Sequence, residues 1–368
     1  MQRLILAGGG HAHIEVLRRF GLRAPRDVEI VLISPSRYTA YSGMLPGLIA
    51  GHYSRRDAHI DLERLAHRAS ARFICDAVVG IDATRRLAYC GQHAEASYDW
   101  LSLDIGSVPN TESIREAERF GFPVRPVDRL LAGVEALAQR VRQSDIEVAI
   151  IGAGAGGVEL CLALDHRLRR EATAHRARFS ILTLTSKILP GYSEAVRRHT
   201  VRVLEQRHVV VYIDSRVAGV TEDGVLLEDG RRIAADHLIW VTGPAPARWL
   251  RESGLATDPE GFVLVDDHLR SVSHPQVFAA GDVATMAAHP RPKSGVYAVR
   301  QGPPLARNLH CVVSGLATRS FKPQRRALQL ISTGERRAIA AWGELSFEGA
   351  WVWRWKDWID RRFVGRYA

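Results

Sequence analysis

The 368-residue sequence predicts an α/β protein of two Rossmann-like nucleotide-binding domains, the second inserted in the first, followed by a short C-terminal segment. Three observations carry that reading. A glycine run, Gly8-Gly9-Gly10-His11-Ala12-His13, follows directly on the apolar run Leu4-Ile5-Leu6-Ala7. A second, Gly152-Ala153-Gly154-Ala155-Gly156-Gly157, follows Val148-Ala149-Ile150-Ile151. A third apolar run, Val277-Phe278-Ala279-Ala280, ends in Gly281-Asp282. Glycines at a strand-to-helix turn let backbone N–H groups approach a pyrophosphate, and the positive end of the helix dipole lies behind them. One such match is a weak sign; two, each between a strand and a helix, are a strong one.

The elements follow in order. Leu4–Ala7 reads as a buried strand, Ala12–Phe20 as a helix with Ile14, Leu17 and Phe20 inward, and Val28–Ile33 as the strand that completes a βαβ unit. Residues 72–103 alternate short strands and turns, and Val127–Arg142 has the apolar spacing of an amphipathic helix. The pattern then restarts. Strand 147–151, helix Val158–Leu168 and strand Phe179–Leu184 form a second βαβ unit, followed by helix Glu194–Gln206, strand Val209–Ile213, hairpins over 216–234 and strand Ile239–Val241. Val277–Ala280 returns to the first domain. The expected boundaries are 1–120 with 262–320 for the first domain, 121–261 for the second and 321–368 for the C-terminal segment.

Composition narrows the classes. The chain is 46% hydrophobic and 24% charged, as expected of a soluble α/β protein. Its net charge of +10 is carried almost wholly by arginine, with lysine only at 187, 293, 322 and 356 and no basic block, so no nucleic-acid partner is expected. Cysteines 75, 90, 161 and 311 are scattered without a Cys-x-x-Cys, which suits a reducing compartment and predicts no metal. The sequence enters its first strand at once, leaving no room for a signal peptide, and no apolar run reaches the ~18 residues of a membrane span. A cytoplasmic protein is expected.

The two loops differ in detail. In the first, His13 stands where a third glycine would let helix and strand pack closely. Ser34 ends the next strand where an acid usually meets the ribose, with Arg37 within reach of an adenosine phosphate. His11 has two readings, a pyrophosphate contact or a space-filler. The second loop, Gly152-x-Gly154-x-x-Gly157-x-Glu159, is complete. Its following strand, Leu182–Lys187, lacks the acid that favours NADH, and Lys187 is compatible with a 2′-phosphate, so NADH and NADPH both stand. Asp282 either accepts hydrogen bonds from the ribityl chain of a flavin or caps the next helix.

In this order the three elements resemble the flavin-dependent pyridine nucleotide oxidoreductases with two dinucleotide-binding domains. Ser102–Pro109, with Gly106 and with Ile105 in place of the usual Thr, looks like that family's crossover out of the flavin domain. Trp240-Val241-Thr242-Gly243-Pro244 looks like the crossover of the nicotinamide domain. Gly8–His13, Tyr41–Gly51 (with Pro46), Pro292–Gly302 (with Gly295) and Trp355–Phe363 are most similar to the oxidoreductase domain found ahead of selenophosphate synthase. The wider group includes type II NADH dehydrogenases and sulfide:quinone reductases.

The resemblance implies FAD, bound non-covalently, and NAD(P)H as cofactors. It places Glu159 near the nicotinamide–flavin contact, although a charge favoured by the helix dipole is the plainer reading. It lays Lys293–Gln301 over the flavin pyrimidine edge, where a helix N-terminus or Lys293 would stabilise negative charge on the reduced ring. Pro303-Pro304 argues for a helix that starts late or kinks. Tyr41–Gly51 has no cysteine pair, which argues against disulfide reduction, and Cys161 and Cys311 read as small core residues. A quinone is the expected acceptor. Tyr41, Met44, Leu45 and Pro46 either line its pocket or belong to the core. A sulfur or selenium species, or a partnership with selenophosphate synthase, is the alternative. The C-terminal helix sets Trp351, Trp355, Trp358/Ile359 and Phe363 on one stripe. Through 350–364 it meets a membrane surface, a second subunit or the protein's own sheet.

Overall fold

The computed structural model describes residues 1–368 except 94, 113, 118 and 173. Residues 1–103 supply β1 (Gln2–Ala7), helix α1 (His11–Leu22), β2 (Val28–Ser34), the short α2 (Leu45–Ile49), β3 (Arg72–Cys75) and β4 (Trp100–Leu103). Residues 122–240 supply β5 (Phe122–Pro123), α3 (Val127–Arg140), β6 (Ile146–Ile151), α4 (Ala155–Glu171), β7 (Ala177–Leu182), α5 (Glu194–Gln206), β8 (Val210–Tyr212) and β9 (His237–Trp240). The chain then returns. β10 (Val277–Ala279) joins the first sheet, and α6 (Gly295–Val313) packs against α1.

Both sheets are parallel and share one plan. The first runs β10-β4-β1-β2-β3 and the second β5-β9-β6-β7-β8. Parallel strands covered on both faces must be apolar along their length, and Leu4, Ile5, Leu6 and Ala7 are wholly buried. Burying each of the two leucines and the isoleucine contributes roughly 1.5–3 kcal/mol. In each sheet the glycine loop leaves the central strand, β1 or β6, and the next strand crosses to one side. This places each loop at a switch in strand order, where a crevice opens at the carboxyl ends of the strands.

Prolines 303 and 304 lie inside α6, which starts at Gly295 and continues beyond them to Val313. The expectation of a late start is corrected: the prolines remove two N–H donors, while packing of Leu305, Ala306 and Leu309 in the core holds the helix together.

The last 40 residues form β11 (Gln329–Ser332), β12 (Ala338–Trp342) and β13 (Leu345–Gly349), an antiparallel sheet, and then α7 (Ala350–Val364). Here α7 inverts the usual pattern. Val352, Lys356, Asp360 and Phe363 face inward, whereas Trp351, Trp355 and Trp358 are 49%, 40% and 57% exposed. The expected stripe is therefore corrected, because Phe363 leaves it to stack on Tyr41 with ring centroids 4.3 Å apart. The exposed face continues into Trp342, Leu345 and Phe347 on the sheet.

Candidate functional site: two facing dinucleotide crevices

In the first crevice Gly8 takes φ +94°, and its N–H donates to Ile33 O at 2.8 Å. A side chain here would overlap the carbonyl of Asp104. Gly9 sits beside the buried Ser34 hydroxyl, and Gly10 precedes the first turn of α1. His13 is fully buried, with Nδ1 2.6 Å from Gly8 O and Nε2 2.8 Å from Ser102 Oγ. A carbonyl only accepts, so Nδ1 carries the proton and Nε2 accepts from Ser102. Burial holds the ring neutral, its pKa lowered to about 4. The residue in the third-glycine place is thus a polar bridge between loop and sheet. His11 is likewise kept neutral, at about 4, by burial and then by Arg125. Its Nε2 accepts from Ser42 N–H at 3.4 Å, and its ring meets Tyr41 edge-on.

Gly106, Gly281 and Asp282 converge on the same crevice. Gly281 donates its N–H to Gln301 Oε1 at 2.6 Å. The Asp282 carboxylate accepts from Ser107 Oγ at 3.4 Å and lies 3.5 Å from the Arg125 guanidinium. Gly281, Asp282, Lys293, Ser294, Tyr297 and Gln301 line a narrow adjoining cleft. The Ser294 hydroxyl there is buried and has no hydrogen-bond partner among the described residues, which suits a polar ligand. Lys293 faces the cleft, but its Nζ donates to Ala284 O at 2.5 Å and Thr285 Oγ1 at 2.8 Å and lies over the Phe262 ring. Burial lowers its pKa to about 8, against the pull of Asp258 and Asp282. Gly295 opens α6 beside Ser42. Pro46 is buried in the first turn of α2, and Met44 lies in the core. Arg37 is held at the surface by Asp61 (2.9 Å) and Glu63 (3.1 Å).

The second crevice is more open. Gly152 takes φ +124°, and a side chain on Gly157 would overlap the Gly152 carbonyl. By contrast, a side chain built on Gly154 or Gly243 meets nothing within 4 Å. Beside them the Thr242 hydroxyl is buried without a partner among the described residues. The Glu159 carboxylate accepts from the N–H of Ser332, in the C-terminal segment, at 2.7 Å. Burial pushes its pKa up to about 7, against the opposing pull of Lys356. Lys356 itself, buried on α7, donates to Asp360 Oδ2 at 2.6 Å and to Gly43 O. Lys187 is exposed and only 4.0 Å from Glu194.

The rims of the two crevices are joined. Val108-Pro109, just after Gly106, pairs antiparallel with Pro244-Ala245, just after Gly243, and Asn110 N–H donates to Gly243 O at 3.0 Å. Each crevice has a left-handed glycine and an unpartnered hydroxyl that suit a dinucleotide; the helix N-terminus of the second is open, that of the first is capped by Asp104 Oδ2, and the two open toward a common seam.

A model of the pyridine nucleotide-disulphide oxidoreductase family matches residues 2–302. The chain belongs to that family. It is 24% identical over 298 residues to the NADH dehydrogenase-like protein YutJ of Bacillus subtilis, a match covering 79% of each chain. It is 21% identical over 343 residues to the type II NADH:quinone oxidoreductase of Staphylococcus haemolyticus, covering 87% of this chain and 85% of the relative. The solved sulfide:quinone oxidoreductase of Aquifex aeolicus superposes with a TM-score of 0.82 at 16% identity, over 100% of this chain and 91% of that one. The chain is therefore an oxidoreductase with the α/β fold of the two-domain flavoprotein reductases, working with FAD and NAD(P)H.

Four groups escaped sequence reading: Asp104, Ser332, Lys356 and Asp360. The i,i+4 spacing of Lys356 and Asp360 was a visible signal of an ion pair, but spacing alone left open which face of the helix turns inward. Ser332 acts through its backbone, which no side-chain pattern reveals.

Proposed function

We propose that NAD(P)H, held at the second loop, reduces FAD held at the first, and that the electrons leave to a quinone. Bound FAD supplies two-electron chemistry that no side chain here offers. The residues' part is to hold and orient. Gly152, Gly154 and Gly157 with the start of α4 receive the nicotinamide dinucleotide, and Gly8, Gly10, Gly106, Gly281 and Asp282 receive the flavin. One observation carries the reading: the crossovers after β4 and β9 pair with each other, so both crevices meet at one seam. All four cysteines are free, and none lies in Tyr41–Gly51, which favours an acceptor reached without a protein thiol. The experiment is anaerobic stopped-flow absorbance. Rapid flavin bleaching by NADH or NADPH, reversed by a soluble quinone, is expected; an unbleached flavin overturns the reading.

The outward tryptophans of α7 favour a quinone taken from a membrane surface. No helix among the described residues is long and apolar enough to cross a membrane. Trp with flanking Arg354 and Arg362 suits an interface in the headgroup region, on the inner membrane face. Cosedimentation with anionic vesicles, lost in a Trp355→Ser/Trp358→Ser double variant, is expected. A dimer that dissociates in that variant without vesicle binding assigns the face to a second copy instead.

The likeness of Gly8–His13 and Tyr41–Gly51 to the domain ahead of selenophosphate synthase favours a second reading, a sulfur- or selenium-oxidising enzyme or a partner of that synthase. Bleaching by sulfide or selenide but not by NAD(P)H supports the first form. Co-purification with the synthase, without turnover of any donor, supports the other.

A further inference from the structure

The two lobes are built alike, and one pair of equivalent residues breaks the likeness. Asp104 N–H donates to Ala7 O at 2.9 Å at the end of the first central strand, and Val241 N–H donates to Ile151 O at 2.9 Å at the end of the second. A side chain on Gly8 would overlap the Asp104 carbonyl, and one on Gly152 the Val241 carbonyl. Asp104 and Val241 therefore hold the same place. Their side chains do opposite things. Val241 leaves the space over Gly154 open. Asp104 is 3% exposed and bends over its glycine loop, so that a side chain on Gly10 would overlap its carboxyl group. Its Oδ2 accepts the N–H groups of Ala12 (2.8 Å) and His13 (2.9 Å), the first-turn amides of α1, and Oδ1 lies 2.6 Å from a side chain built on Gly281. An anion from the chain itself thus occupies the amides and dipole that a phosphate loop offers a ligand.

We propose that Asp104 is a built-in occupant of the first phosphate loop, so that the pyrophosphate of FAD enters only together with a proton on that carboxyl group. This rests on the reading that FAD occupies the first lobe. A carboxylate and a pyrophosphate at one helix N-terminus repel each other in a poorly solvated space. Protonation from solvent removes that charge. Oδ2 keeps its two amide bonds, and Oδ1–H becomes a donor. The surroundings suit the exchange. Asp104 is pushed up to about 7 by burial, with Asp282 adding to the rise and the two amides and Arg125 opposing it. The other titratable groups facing it from α1, His11 and His13, stay neutral through this range, and α6 presents the uncharged Gln301. Linkage then requires FAD affinity to fall about tenfold for each pH unit above 7.

Calorimetric titration of FAD into the full-length flavin-free protein, in two buffers of different ionisation enthalpy, counts the protons taken up. Close to one proton per FAD is expected at pH 8, falling toward none at pH 5.5. Asp104→Asn keeps the amide cap and should take up none while binding FAD with pH-independent affinity. Asp104→Val copies the second lobe and should do the same, which keeps the test open if either variant fails to fold. NADH binding at the second lobe, with Val241 in the equivalent place, serves as the internal comparison and should take up none. FAD bound without proton uptake, or with uptake unchanged in Asp104→Asn, overturns the proposal and leaves the flavin reading standing. Failure of the wild-type protein to bind FAD at any pH overturns both.

Discussion

Replacing Gly154 by valine separates a ligand effect from a folding effect, because the protein leaves the space around a Cβ at this position open. The backbone at Gly154 is ordinary, with φ −69° and ψ 178°, and a Cβ there meets no atom within 4 Å. Losing glycine at the N-cap of α4 costs about 1 kcal/mol, and the stiffer unfolded chain returns roughly 0.4–1 kcal/mol. The melting temperature should therefore move by less than about 4 °C. The added methyls occupy the space a phosphate needs to reach the first-turn amides. Each charge-assisted hydrogen bond lost is worth roughly 1.5–3 kcal/mol, so two lost bonds weaken nicotinamide binding by roughly 10²–10⁴-fold. The assay pairs thermal unfolding with stopped-flow reduction by NADH and NADPH. The variant should stay folded and yellow and need at least about a hundredfold more reductant. Normal reduction of a folded, yellow variant would refute the assignment of the second loop to NAD(P)H.

Gly157→Ala should behave differently: its methyl overlaps the Gly152 carbonyl, a backbone atom that cannot yield, so a loss of about 1–3 kcal/mol in chemical denaturation is expected alongside lost reduction. Asp282→Ala removes the carboxylate that Ser107 and Arg125 hold over the first crevice and should weaken FAD by roughly 10–100-fold, seen as free flavin fluorescence after gel filtration. Lys356→Met strips the buried Asp360 and the Gly43 carbonyl of their partner and should cost about 3–5 kcal/mol in urea unfolding. Without flavin, the Asp104 contribution to stability should fall as pH rises from 4 to 8, against the opposite trend of His11 and His13, which burial lowers to about 4. Asp104 is raised by burial from 3.8 to about 7, so the native state holds its proton in that window, and the cost of the charge, at most about 4 kcal/mol, is complete only above pH 7. The difference in urea-unfolding stability between the wild type and Asp104→Asn isolates that contribution, since Glu159, raised to about 7, and the two histidines are common to both proteins.

The parallel sheets were legible because burial on both faces demands unbroken apolar runs, and Leu4–Ala7 and Val148–Ile151 have no other reading in front of glycine loops. Element ends were less so. The expected helix Val158–Leu168 extends from Ala155 to Glu171, since its first turn is made of loop glycines that composition alone assigns to the turn. The site residues divide by the kind of contact they make. Gly8, Gly152 and Gly157 are dictated by close backbone approach, which leaves a mark in the sequence. Asp104 was hidden because its meaning depends on the residue packed opposite, Gly10, 94 positions away. The same holds for α7. Helical spacing groups Trp351, Trp355 and Trp358 correctly, but which face turns inward is settled by Glu159, Gly43 and Tyr41, all remote in sequence. A buried Lys356–Asp360 pair is costly unless other groups complete it. Here Gly43 O completes the ammonium, while Phe363 stacks on Tyr41 one turn further on. An inward charged face therefore frees the aromatic one, and the arrangement that anchors the helix to the flavin lobe is also what leaves three tryptophans facing out.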